Sequence, residues 1–186
     1  MNEIRKVAGL TSSSDCKLMR ELAKEAYDNG FMDSGHPNGN GRATLDLVRN
    51  KKVRKAIFRY TDQIIKMINW DKPLYVRDYL FNYYPKGGCI PVHTDDDQMP
   101  ECLWSSVAYL NGPNDYEGGE IYFPNLGGLE LKPEEGETLI FPCSYEHGVR
   151  ELQSGVKYTL AVSFTEDPSK ELFYERMDDR KDRKTL

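Results

Sequence analysis

Three histidines occur in the 186-residue chain, His36, His93 and His147. His93 opens the segment His93-Thr94-Asp95. On an extended strand, residues i and i+2 project to the same side, roughly 6–7 Å apart at Cα, so this imidazole and this carboxylate can converge on one ion. His147, from a second strand-like segment, can add a third donor. Two imidazoles and one carboxylate with three coordination positions open suit Fe(II) that must also hold a co-substrate and O2. The same residues are equally compatible with hydrogen-bonded structural side chains on a sheet. Asp96 and Asp97 follow the motif as solvated turn residues, although Asp97 keeps the parity of Asp95.

The elements that would position these groups are mostly short strands. After Pro73 come the β-rich runs 74–84, 89–94, 103–110, 120–123, 128–131, 137–141, 145–150 and 156–165, with Gly and Pro between them. Strands of this length with turns roughly every ten residues predict a β-sandwich or roll. The last run alternates cleanly. Val156, Tyr158, Leu160, Val162 and Phe164 fall on one face, and Lys157, Thr159, Ala161 and Ser163 on the other. Placed inside a roll, the second face leaves room for a ligand and offers one cation to a carboxylate. Ahead of the strands, Ser12-Ser13-Ser14-Asp15 caps a helix over 13–28 that buries Leu18, Leu22 and Ala26. Val53, Ile57, Tyr60, Ile64 and Met67 predict a second over 50–69. These helices, about 13–70, would cover one outer face of a mainly β, α+β fold.

Between the helices lies Asp33-Ser34-Gly35-His36-Pro37-Asn38-Gly39-Asn40-Gly41, too rich in Gly, Asn and Pro for a regular element. It reads as a loop that closes over the site when substrate binds, bringing His36 and Arg42 to it. Residues 168–186 are charge-dense and predict a frayed tail or short helix anchored by Leu172, Phe173 and Met177. One domain over 1–167 is expected.

Lys and Arg total 25 against 30 Asp and Glu, a formal charge of −5. An acidic sum argues against a nucleic-acid partner, whose phosphates call for clustered basic residues. No apolar run is long enough to cross a membrane and the N-terminus lacks the apolar stretch of a signal peptide, so a cytoplasmic location is expected. Cys16, Cys89, Cys102 and Cys143 form no C-x-x-C pair and read as free thiols.

His93-Thr94-Asp95, then His147, then Lys157 ten residues later resembles the motif of the 2-oxoglutarate and Fe(II)-dependent dioxygenases, in particular their prolyl 4-hydroxylase branch of compact microbial or viral type. The resemblance spans about residues 74–165. It includes Tyr84 ahead of Gly87-Gly88, Tyr109-Leu110-Asn111, the run Glu117-Gly118-Gly119-Glu120-Ile121-Tyr122-Phe123-Pro124, and Gly155. It implies a double-stranded β-helix, or jelly roll, in which His93, Asp95 and His147 bind Fe(II). Lys157 would anchor the distal carboxylate of 2-oxoglutarate, with Tyr84 and Tyr109 hydrogen-bonding that co-substrate and Thr159 as a further donor. Arg150 is the next cation in line. The implied reaction hydroxylates a peptidyl proline with O2 and releases succinate and CO2, with ascorbate as an auxiliary reductant. Ile90 departs from an aromatic common in the branch, and Arg150-Glu151 stands where it often has a proline. Ser163 replaces the second arginine of the nucleic-acid demethylases.

Three alternatives stay open. The acceptor could be a free amino acid or small metabolite. The roll could be a metal-free binding module. Or it could hold zinc through Cys89-x3-His93 and Cys143-x3-His147, although four residues along a strand separate side chains by roughly 13 Å.

Overall fold

The computed structural model of the chain describes residues 4–29, 41–43, 51–97 and 99–172. In order these form β1 (Arg5–Val7), α1 (Ser13–Asp28), β2 (Gly41–Ala43), α2 (Lys51–Ile68), β3 (Tyr75–Tyr84), β4 (Ile90–His93), β5 (Trp104–Tyr109), β6 (Tyr116–Gly118), β7 (Ile121–Phe123), β8 (Leu129–Leu131), β9 (Thr138–Pro142), β10 (His147–Val149), β11 (Leu152–Gly155) and β12 (Lys157–Thr165).

Helix α1 begins where Ser12, in extended conformation, accepts the backbone N–H of Asp15 on its side chain. That satisfies a first-turn donor with no partner inside the helix. The helix buries Cys16, Met19, Ala23 and Ala26. Leu18 and Leu22, expected at the centre of the face, flank this line half-buried. On α2 the expected Val53, Ile57, Tyr60 and Ile64 are buried, but Met67 is 38% exposed and Ile68 takes its place. A step of four from Ile64, rather than three, keeps the stripe over the sheet.

That sheet has six strands in the order β1-β9-β5-β12-β3-β2, antiparallel throughout. Its outer face carries Val76, Tyr79, Phe81, Leu160, Val162 and Phe164, packed in one cluster with the buried residues of both helices. The inner face looks toward a second sheet, β4-β10-β7-β8, and a separate pair, β11-β6, lies beside it. Tyr109, Ile121, Phe123, Leu139 and Phe141 fill one part of the space between the layers. Tyr84, Ile90, Tyr116, Val149 and Leu152 fill another. Strand β12 is therefore divided as its alternation predicts.

Residues 33–40 of the proposed closing loop, His36 among them, lie outside the described residues; Gly41 and Arg42 belong to β2, opposite Tyr83 and Asn82 of β3. The tail begins with a single 3-10 turn at Pro168–Lys170, and Leu172 packs against the helix-covered core. Residues 173–186, with Phe173 and Met177, are also outside the described residues.

One cysteine expectation is corrected. Cys102 and Cys143 are joined in a disulfide, while Cys16 and Cys89 take part in none. Sequence separation hid the pair. Cys102 lies just before β5 and Cys143 just after β9, and these strands are antiparallel neighbours with Trp104 opposite Pro142. A bridge closing 41 residues stabilises by about 4 kcal/mol through the entropy it removes from the unfolded chain. Reduction, or Cys102→Ser, should lower Tm by roughly 10 °C in a calorimetric scan. Identical transitions with and without reductant would mean that the two thiols are unlinked in solution.

Candidate active site

His93 ends β4 and His147 begins β10, and the two are direct cross-strand partners with ring centroids 4.4 Å apart. Each ring is fixed by its own chain segment. His93 Nδ1 lies 3.0 Å from the carbonyl of Pro91, and His147 Nδ1 lies 2.9 Å from that of Tyr145. A carbonyl oxygen accepts only, so Nδ1 is the donor in each contact and Nε2 is the nitrogen that faces the site. Both Nε2 atoms turn toward Asp95. His93 Nε2 is 3.5 Å from Oδ1 and His147 Nε2 is 3.9 Å from Oδ2.

One ligand atom from each of the three residues falls within 4.8 Å of the others, the spread expected of donors around a shared ion. Imidazoles braced on carbonyls are also the usual outer support of a metal site. Asp95 itself is held by its backbone N–H, which donates to Cys143 O at 3.0 Å, and by Ser105 Oγ, which donates to Oδ2 at 2.5 Å. Burial pushes the Asp95 carboxyl up, but His93, His147 and the Ser105 hydroxyl together outweigh it and bring it below its ordinary value. It is a carboxylate at neutral pH, as a metal ligand must be. The donor set fits Fe(II), with one side of the triad left to a cavity.

That cavity, about 280 Å³, runs between the two sheets and is lined by His93, Asp95 and His147 together with inward residues of β3, β5 and β12. Lys157 stands in its wall, 1% exposed, donating from Nζ to the carbonyl of Gly119 at 2.8 Å. The rings of Tyr84 and Tyr109 lie 5.1 and 5.2 Å from the same nitrogen. Gly118 and Gly119 both have φ of +70°, and a Cβ on Gly118 would sit 2.3 Å from the carbonyl oxygen of Glu151. Only glycine takes this turn beside the neighbouring chain, and the turn presents the oxygen that holds Lys157. The Tyr109 hydroxyl is buried and, among the described residues, has no hydrogen-bond partner. A buried cation beside that hydroxyl, across from the cluster of His93, Asp95 and His147, fits a small dicarboxylate that spans the cavity.

A profile described as the 2OG-Fe(II) oxygenase superfamily matches residues 79–165, which hold every site residue named above. The match identifies residues 79–165 as a 2OG-Fe(II) oxygenase region. A PKHD-type hydroxylase of Rippkaea orientalis is 26% identical over 177 residues, covering 88% of this chain and 80% of the relative. The viral collagen prolyl hydroxylase of Paramecium bursaria Chlorella virus-1, solved with 2-oxoglutarate, superposes with a TM-score of 0.66 at 20% identity. It covers 87% of this chain and 94% of its own. A prolyl hydroxylase of Trichoplax adhaerens, solved with a peptide fragment of hypoxia inducible factor, gives 0.71 at 16% identity over 94% and 88%. These structures share the jelly-roll fold expected above.

As a 2OG-Fe(II) oxygenase this chain is a dioxygenase, and the family's requirements are Fe(II), 2-oxoglutarate and O2. Thr159 lines the cavity but already accepts from Asn82 Nδ2 at 3.1 Å. Arg150 is half exposed, donates to Glu130 and lies 3.8 Å over the Tyr122 ring, away from the cavity lining. The zinc alternative is not formed, since Cys143 is bonded to Cys102 and Cys89 is not in the metal-ligand cluster. Two supporting groups escaped the sequence reading, the Gly119 carbonyl and the Ser105 hydroxyl. Neither carries a motif that spacing could reveal. Among the described residues no helix is long and apolar enough to cross a membrane.

Proposed function

We propose that the chain hydroxylates a proline residue in a peptide or protein, with His93, Asp95 and His147 holding Fe(II) and Lys157 pairing with the distal carboxylate of 2-oxoglutarate. The observation that carries this reading is the convergence of the two Nε2 atoms on Asp95 at one wall of a cavity whose only lining cation, among the described residues, is Lys157. Fe(II) and 2-oxoglutarate supply the oxygen activation, in which loss of CO2 from the co-substrate drives hydroxylation of the acceptor.

The chain's own part is positioning. The carbonyls of Pro91 and Tyr145 fix both imidazoles, Ser105 holds the Asp95 carboxylate, and Tyr84 and Tyr109 offer hydroxyls to the co-substrate. The apolar wall of Leu80, Val107, Ala161 and Ile121 keeps water from the reacting groups. A proline acceptor is favoured by the printed names of the prolyl hydroxylases that share this fold. The test is incubation of the iron-loaded protein with 2-oxoglutarate and either proline-rich peptides or free proline. The readouts are succinate and a product heavier by one oxygen atom. Oxygen on the peptide supports the reading; oxygen on free proline alone moves the acceptor to a small metabolite. Ascorbate dependence is read in the same assay.

A pH signature follows from Lys157. Burial lowers its pKa to about 7, Glu120 opposing and Lys132 adding to the shift. A bound carboxylate favours the charged ammonium, so 2-oxoglutarate binding draws a proton onto Lys157 wherever the free lysine is neutral. Below about pH 7 little is taken up; above it uptake tends toward one proton and affinity falls by up to ~10-fold per pH unit. Titration calorimetry in buffers of different ionisation enthalpy, about one pH unit either side of 7, measures this directly. Lys157→Arg, always charged, should show no uptake from this position.

A further inference from the structure

Strand β3 sends Tyr84, Asn82, Leu80 and Asp78 into the cavity. Tyr84 is opposite Lys157, and Asp78 is opposite Ser163, six residues further along β12. Ser163 is in turn opposite Ser105 of β5, the residue whose hydroxyl holds Asp95. The cavity therefore carries a cation near one end and an additional carboxylate near the other, roughly 20 Å away along the strands. Asp78 and Ser105 are separated by two strand spacings, roughly 10 Å at Cα. That places Asp78 level with the Asp95 end of the triad, two strands across the same cavity wall and six residues along β12 from the level of Lys157.

The Asp78 carboxylate is half-buried. Oδ1 accepts the N–H of Tyr79 at 2.8 Å, and among the described residues no cation pairs with it. The adjacent Arg77 is committed to Glu101. Burial holds the Asp78 carboxyl above its ordinary value, the Tyr79 N–H and the Arg77 charge offsetting only part of this. A half-buried carboxylate without a paired cation is a favourable seat for one, since the pair would form a charge-assisted hydrogen bond in a partly dry cavity.

We propose that Asp78 is a specificity-determining residue that receives the ammonium or guanidinium of a basic residue next to the hydroxylated position of the acceptor. The proposal rests on the reading of the acceptor as a proline-containing peptide and narrows it to a basic one. Ser163, with its small hydroxyl, leaves space for that side chain beside Asp78.

The experiment uses the full chain loaded with iron and 2-oxoglutarate. Three peptides, identical except for Lys, Ala or Glu beside a single proline, are compared by hydroxylation and, with an inert divalent metal in place of iron, by calorimetric binding. The wild type should favour the Lys over the Glu peptide by at least ~10-fold in kcat/KM or Kd. In Asp78→Asn the preference should collapse while the KM for 2-oxoglutarate stays unchanged, and Asp78→Lys should favour the Glu peptide. Hydroxylation without a charge preference, or a preference that persists in Asp78→Asn, overturns the assignment and leaves the proline reading standing. Tighter binding of the Lys peptide, lost in Asp78→Asn but with no proline hydroxylated, supports Asp78 and sinks the proline reading. Binding of none of the three overturns both.

Discussion

Alanine in place of His93, Asp95 or His147 is expected to cost more than ~100-fold in iron affinity and to remove 2-oxoglutarate turnover. Loss of an outer-shell partner alone typically costs 10–100-fold. Each of these changes instead removes one of three donors, leaving too few to hold the ion. The expected loss has an internal comparison, because Ser105→Ala removes only the hydroxyl that orients Asp95 and should fall within the smaller range. Chelator competition followed by metal analysis, with circular dichroism to confirm folding, measures all four variants. A His147→Ala protein that retains wild-type iron affinity would move the metal away from this triad.

The second large effect concerns the cation. Lys157→Ala should raise the KM for 2-oxoglutarate by at least ~30-fold, since truncating one partner of a buried, hydrogen-bonded charge pair costs about 2–5 kcal/mol. The KM for the acceptor should change little, because Lys157 lies six residues along β12 from the level of Asp78 and Ser105. Lys157→Arg should recover part of the loss by restoring the charge. An unchanged KM for 2-oxoglutarate in the alanine variant would assign the anchor to another cation. Arg150 is a poor replacement, being half exposed and held by Glu130.

What could be read from the sequence was what local periodicity encodes. The alternation of 156–164 divided β12 into a core face and a cavity face, and the structure keeps that division except that Val162, packed in the core, also reaches the cavity lining. Both helices lie within a residue or so of their expected limits because capping and the 3-to-4 apolar step are local signals. The short strands β1, β2, β6 and β11 were not foreseen, since three or four residues carry too little pattern and form only because a partner edge is present.

Non-local facts escaped for the same reason. Nothing near Cys102 announces Cys143, and nothing near Lys157 announces the carbonyl of Gly119. The triad was legible only because its spacing matches a motif. Its bracing on Pro91 and Tyr145 is a backbone matter that no side-chain pattern encodes. Asp78 falls inside a correctly expected strand, yet its isolation depends on Arg77 turning to Glu101.

The bridge from Cys102 to Cys143 also decides what a protease could accomplish. The turn from Pro124 to Glu130 is exposed throughout and offers a natural cleavage point. A cut there falls between the bridged cysteines, so the two pieces remain one covalent object. His93 and Asp95 belong to the first piece, before Cys102, and His147 and Lys157 to the second, after Cys143. A nicked molecule would therefore keep both halves of its site tethered across the β5 and β9 seam, and would come apart only in a reducing environment.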